Sequence, residues 1–116
     1  MAISDSPEKR RAERIPSDRL PQPLRRLHVS FGAESSSYHV ETIDASRTGI
    51  SFRLQMPIYS IRDYNLTIKA DDASFTLRDE LVYAKPLDLA TSRVSVHFTE
   101  QPGLADYAKL LDSSVR

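Results

Sequence analysis

The stretch Ile43-Asp44-Ala45-Ser46-Arg47-Thr48-Gly49-Ile50-Ser51-Phe52 sets a short carboxylate, a hydroxyl and a glycine at fixed offsets between two strand-like runs. Asp and Ser bond nearby backbone in turns, and glycine serves a positive φ or a close approach of two backbones. Asp44 to Thr48 therefore reads as a turn, with Ile50 and Phe52 on one face of the next strand. Working upstream, Tyr38, Val40 and Thr42 alternate with polar residues, and so do Leu27, Val29 and Phe31. The polar run Gly32-Ala33-Glu34-Ser35-Ser36-Ser37 between them makes a hairpin.

Downstream the same period of two returns. Met56 to Asp63 is a longer connection, and Tyr64, Leu66 and Ile68 form a fourth strand that turns at Asp71-Asp72. Phe75 and Leu77, then Leu81 and Tyr83, read as a fifth strand with a bulge where Asp79-Glu80 breaks the pattern. Pro86 to Thr91 is loop, and Val94, Val96 and Phe98 make a sixth strand. After Pro102-Gly103 the spacing turns helical: Leu104, Tyr107, Ala108 and Leu111 fall at i, i+3, i+4 and i+7. Six short antiparallel strands and one amphipathic helix predict an all-β fold, a six-stranded antiparallel β-barrel whose closure removes exposed edges. The helix is too short to be stable alone, so its apolar stripe should cover one barrel opening.

Residues 1–23 differ from the rest of the chain. They are polar and punctuated by Pro7, Pro16, Pro21 and Pro23, each lacking a backbone donor. The expected organisation is a flexible N-terminal arm over 1–23, with a short helical turn near Ser6-Pro7-Glu8, and a barrel with its C-terminal helix over 24–116.

Composition narrows the function. A chain of 116 residues is one domain. Sixteen basic and sixteen acidic residues cancel, which argues against general polyanion binding, so neither DNA nor RNA is an expected partner. Residues 1–30 nevertheless carry seven Lys/Arg against four Asp/Glu, a local excess suited to a compact anion site. The absence of cysteine excludes disulfides, thiolate nucleophiles and cysteine-ligated metal centres. The N-terminus lacks a secretory apolar core, and no apolar run approaches the roughly 20 residues that span a bilayer, so a cytoplasmic location without membrane insertion is expected. With no nucleophile elbow, Walker loop or dinucleotide fingerprint, catalysis is not expected.

Upstream of the opening stretch stands Lys9-Arg10-Arg11-Ala12-Glu13-Arg14. Arg10-xxx-Arg14 together with Asp44-x-Ser46-xx-Gly49 resembles the two signatures, RxxxR and [DN]xSxxG, of the PilZ family of cyclic di-GMP receptors. The order of elements is similar to that domain across nearly the whole chain, and the resemblance implies a split barrel of PilZ type. It implies that cyclic di-GMP is the ligand, with no further cofactor. Arginine grips phosphate or the O6/N7 edge of guanine through two bonds and also stacks on a base. The resemblance gives these roles to Arg10 and Arg14, with Lys9 and Arg11 assisting. It has Asp44 and Ser46 face guanine N–H donors or the sugar edge, with Gly49 shaping the turn and Arg47 beside them. Lys9, just before RxxxR, leans toward an intercalated ligand dimer rather than one ligand. The arm would fold over the ligand and present a new face to an unidentified downstream protein.

Two features depart from the family pattern: Glu13 within the arginine run, and a long, proline-rich Ile15 to Pro23 segment. They favour a PilZ-like protein–protein adaptor that binds no nucleotide. A barrel reading single-stranded nucleic acid is the other rival, but the Tyr and Phe residues mostly fall on the inward strand phase. Arg25 and Arg26, at the start of the first strand, read as edge-strand solubility with anion contact as the alternative. His28, His39 and His97 read as a solvated face; adjacent strands could still bring His28 and His39 together, so a surface metal site is conceivable, though no metal is expected.

Overall fold

The computed structural model describes residues 14–32, 37–60 and 65–113. Among the described residues there are seven strands: β1 (Ile15–Pro16), β2 (Arg26–Phe31), β3 (Tyr38–Ser46), β4 (Gly49–Leu54), β5 (Asn65–Ala70), β6 (Thr76–Pro86) and β7 (Ser92–His97). The described residues also form two α-helices, the single turn α1 (Gln22–Arg25) before β2 and the ten-residue α2 (Gly103–Asp112) after β7. Every pairing is antiparallel. The order β3-β2-β5-β6-β7-β4 closes on itself through β3–β4, giving the expected six-stranded barrel.

The alternation seen in the sequence is the reason for the closure. Leu27, Val29 and Phe31 of β2, Leu66 and Ile68 of β5, and Val94 and Val96 of β7 all point into one core with Ile50, Phe52 and Leu54. β6 is one continuous strand whose register with β7 shifts between Leu81 and Tyr83, the irregularity expected near Asp79-Glu80. Tyr107 and Leu111 of α2 are buried at the barrel mouth, where the Tyr107 ring meets Phe98 edge-on at 4.7 Å and Phe75 at 5.4 Å.

The N-terminal part differs from the expectation. Residues 1–13, with Lys9, Arg10, Arg11 and the turn expected near Ser6, lie outside the described residues. Residues 15–23, assigned by their prolines to a flexible arm, are packed on the sheet together with Leu24, which was expected to open the barrel. Ile15 pairs with Ala45 and Pro16 with Asp44, on the flank of β3 opposite β4 and beyond the end of β2. Leu20 and Leu24 are fully buried, and Arg25 is spent holding this segment: its Nε donates to the Leu20 carbonyl at 2.8 Å. No helix among the described residues is long and apolar enough to cross a membrane.

One buried carboxyl carries a pH signature. Asp79 of β6 is buried; its Oδ1 accepts from Gln101 at 3.2 Å, and its Oδ2 has no partner. Burial raises its pKa above the ordinary carboxylate value, while Gln101, the Thr99 backbone and His97 oppose the rise. A raised folded-state pKa favours the protonated form, so the folded state is penalised at neutral pH and relieved on acidification. Asp79→Asn should therefore melt above the parent at neutral pH, and the gap should close as pH falls toward the ordinary carboxylate value of 3.8. Melting curves of both proteins across that window check it.

Candidate ligand-binding site

Asp44 owes its orientation to a bulge. Val40 and Thr42 of β3 are buried, so strict alternation would turn residue 44 toward the core as well. The β3–β4 register shifts between Thr42, opposite Phe52, and Asp44, opposite Ser51, leaving Ile43 as the extra residue. This reverses the phase: Ala45 now points into the core, and Asp44 comes to the outer wall.

There the carboxylate is held between two arginines. Arg14 Nη1 donates to Asp44 Oδ1 at 3.0 Å, and Arg93 Nη2 donates to Oδ2 at 3.1 Å. The short β1 ladder places Arg14, because Pro16 sits opposite Asp44. The second arginine of RxxxR and the acid of the strand motif, 30 residues apart in sequence, are thus in contact. Asp44 is 19% exposed, whereas Arg14 and Arg93 are 44% and 36% exposed. Each guanidinium has five donors, so the pair is an open, cationic surface around one carboxylate.

Arg93 was not among the expected residues. It stands on the outward phase of β7, between inward Ser92 and Val94. The β4–β7 pairing, which sets Ser51 opposite Ser95, carries that face alongside Asp44. The sequence signal is the outward phase of the last strand, and it gains meaning only once β7 is known to neighbour β4.

The rest of the motif builds the turn. Strand pairing runs through Ser46 opposite Gly49, so only Arg47 and Thr48 form the connection, rather than the whole of Asp44 to Thr48. Ser46 is 1% exposed, and its hydroxyl is turned to the turn itself: Oγ accepts from the Thr48 amide at 3.2 Å and donates to the Gly49 carbonyl at 3.4 Å. Gly49 does not have a positive φ. It is required for space, since a Cβ there would lie 2.4 Å from the Val96 carbonyl oxygen. Arg47 projects from the turn and is ion-paired with Asp112 at the end of α2.

Tyr107 joins this turn to the helix. Its hydroxyl donates to the Ser46 carbonyl at 2.6 Å. Burial pushes the phenol far above its usual pKa, with Arg14 lowering and Asp44 raising it to lesser degrees, so the group is a neutral donor. Tyr107→Phe leaves that buried carbonyl without its donor and should cost about 1–2 kcal/mol, read as a lower midpoint in urea with an unchanged slope. An unchanged midpoint would mean that water replaces the phenol.

The outer face of β2, β3 and β5 forms a second polar cluster. His28 lies opposite His39 in the β2–β3 register, their ring centroids 4.1 Å apart. His28 Nε2 also lies 2.9 Å from Asp71 Oδ1.

No protein-family model matches the chain, and no curated protein matches it. Among solved structures, the chain is similar to the crystal structure of the PlzA protein of Borreliella burgdorferi in complex with c-di-GMP. The TM-score is 0.59 at 17% identity, over 98% of this chain and 56% of that one. The chain thus spans little more than half the length of that protein, and at this identity the likeness is one of fold. The barrel with its C-terminal helix is PilZ-like.

Proposed function

We propose that this domain is a cyclic di-GMP receptor whose site is built on Asp44 and its flanking arginines, and that it acts on a partner protein rather than as an enzyme. The observation that carries the reading is the Arg14–Asp44 contact at 3.0 Å, which joins the two halves of the motif pair in one place. The fold likeness to a protein solved with c-di-GMP supports it.

In this reading the ion pairs are place-holders. A phosphate takes over the guanidinium of Arg14, with Lys9, Arg10 and Arg11 arriving from the N-terminal segment, and Arg93 offers a further contact. Asp44, released from its arginines, accepts the N1–H and N2–H of guanine, a donor pair that a carboxylate fits in bidentate fashion. Ser46 and Gly49 serve by fixing the turn, and Arg47 by standing at its tip. Binding orders the N-terminal arm and creates the surface that a downstream protein reads.

Isothermal calorimetry of the full chain with cyclic di-GMP tests the proposal. Saturable binding that is lost in both Arg10→Ala and Asp44→Ala is the expected result. A stoichiometry of two ligands per chain would support the role given to Lys9 and one would remove it. A specific observation favours the second reading, an adaptor without nucleotide: both oxygens of Asp44 are already engaged, so a ligand must break two ion pairs to enter. A flat titration of well-folded protein would establish that reading instead.

A further inference from the structure

We propose that His28, His39 and Asp71 form a binding site for a divalent transition-metal ion, zinc being the best match, on the barrel wall away from the Asp44 site. The three residues come from three neighbouring parts of one sheet. His28 (β2) faces His39 (β3) directly across the ladder, and β5 flanks β2 on its other side, with Leu27 opposite Ala70. Asp71 follows Ala70 at the end of β5 and so arrives beside His28.

The donor atoms already converge. One ligand atom from each residue lies within 4.8 Å of the others, and the His28–Asp71 contact is 2.9 Å. Tetrahedral zinc with bonds of about 2.0–2.1 Å sets its ligands about 3.3 Å apart. The remaining closure falls on His39, whose side chain is exposed. Two imidazoles and a carboxylate are a donor set that zinc favours when a further position is left to water or a ligand. A cavity of about 240 Å³ adjoins two of the three residues, His28 and Asp71, and Ser30, Ser37, Thr67 and Lys69 also line it.

The carboxylate is carried on a fixed turn rather than a loose loop. Ala73 takes a left-handed backbone with φ 61° and donates its N–H to the Ala70 carbonyl at 2.9 Å, and Asp72 accepts the Ser74 amide at 3.0 Å. Charges on the surrounding face balance: Arg26 stands opposite Glu41, and Lys69 opposite His28 close to Asp71. A hydrogen-bonded His28–Asp71 pair explains two of the three groups. It gives no role to a second imidazole directly opposite, its ring tilted 57° from the first, whereas a metal uses all three.

The test is a zinc titration of the untagged, chelator-washed full chain, followed by competition with a chromophoric zinc indicator and by imidazole proton NMR. The expected result is one zinc per chain, with affinity on the order of micromolar, shifts confined to the His28 and His39 rings, and a raised melting temperature. His39→Ala and Asp71→Asn, both at exposed positions, should weaken binding about tenfold or more, while His97→Ala and Asp44→Ala should not. Zinc binding that His39→Ala and Asp71→Asn leave unchanged, or no saturable binding by variants and parent that melt alike, would overturn the site.

Discussion

Gly49→Ala should lower the stability of the barrel by about 3 kcal/mol, seen as a fall in melting temperature of roughly 10–20 °C. The argument is spatial. The alanine Cβ would lie 2.4 Å from the Val96 carbonyl oxygen and 3.5 Å from its carbon, and both belong to the backbone of β7. A flexible side chain could step aside, but a ladder strand cannot move without its neighbours. Here Gly49 pairs with Ser46 on one side and His97 on the other, and the Phe98 amide donates to the Thr48 carbonyl at 2.8 Å. Tyr107 adds a further tie, its hydroxyl 3.4 Å from the Gly49 carbonyl. Any shift of β4 from β7 therefore strains the turn, the helix and the wall that carries Asp44 and Arg93 together. Arg53→Ala, an exposed change on the same strand, is the comparison and should melt near the parent. If Gly49→Ala also melts within about 2 °C of the parent, β4 and β7 are not held at the spacing described.

The strands were legible because a half-buried strand writes its two faces into alternate residues, as in Leu27-Val29-Phe31 and Val94-Val96-Phe98. The helix was legible for the matching reason at a period of 3.6. What stayed hidden depends on relations between distant parts. Leu20 is an isolated apolar residue among prolines and carries no period, so nothing local marks it as core, yet it is fully buried. The bulge at Ile43 has no residue signature, and an alternation carried through from Val40 would have pointed Asp44 inward. Arg93 looks like any outward residue of a sixth strand until barrel closure sets β7 beside β4. Ser46 shows the limit of a motif: its type and offset suit a ligand contact and a turn equally, and its hydrogen bonds lie within the turn.

Arg14→Glu should remove cyclic di-GMP binding, by about 100-fold or more, and leave the fold in place. The two effects separate because Arg14 is an exposed partner. An ion pair at that exposure is worth about 0.2–1 kcal/mol, so losing it and adding a like charge beside Asp44 should move the melting temperature by less than about 5 °C. The β1 ladder is carried by Ile15, Pro16 and the buried Leu20, and the substitution touches none of them. Binding has no such reserve. The reversal deletes a charge-assisted donor and sets a second carboxylate where a phosphate must approach. Combining Arg14→Glu with Asp44→Arg makes the distinction sharper, because the swapped pair restores an attraction at this position while removing both ligand roles. The double variant should regain part of any lost melting temperature, the new cation at position 44 now facing Arg93, and still fail to bind. Wild-type affinity in Arg14→Glu with an intact melt would show that the Arg14–Asp44 contact only anchors β1, and would return the site to an adaptor surface. Recovery of binding in the double variant would show that charge at the wall, and not the identity of Asp44, is what the ligand reads.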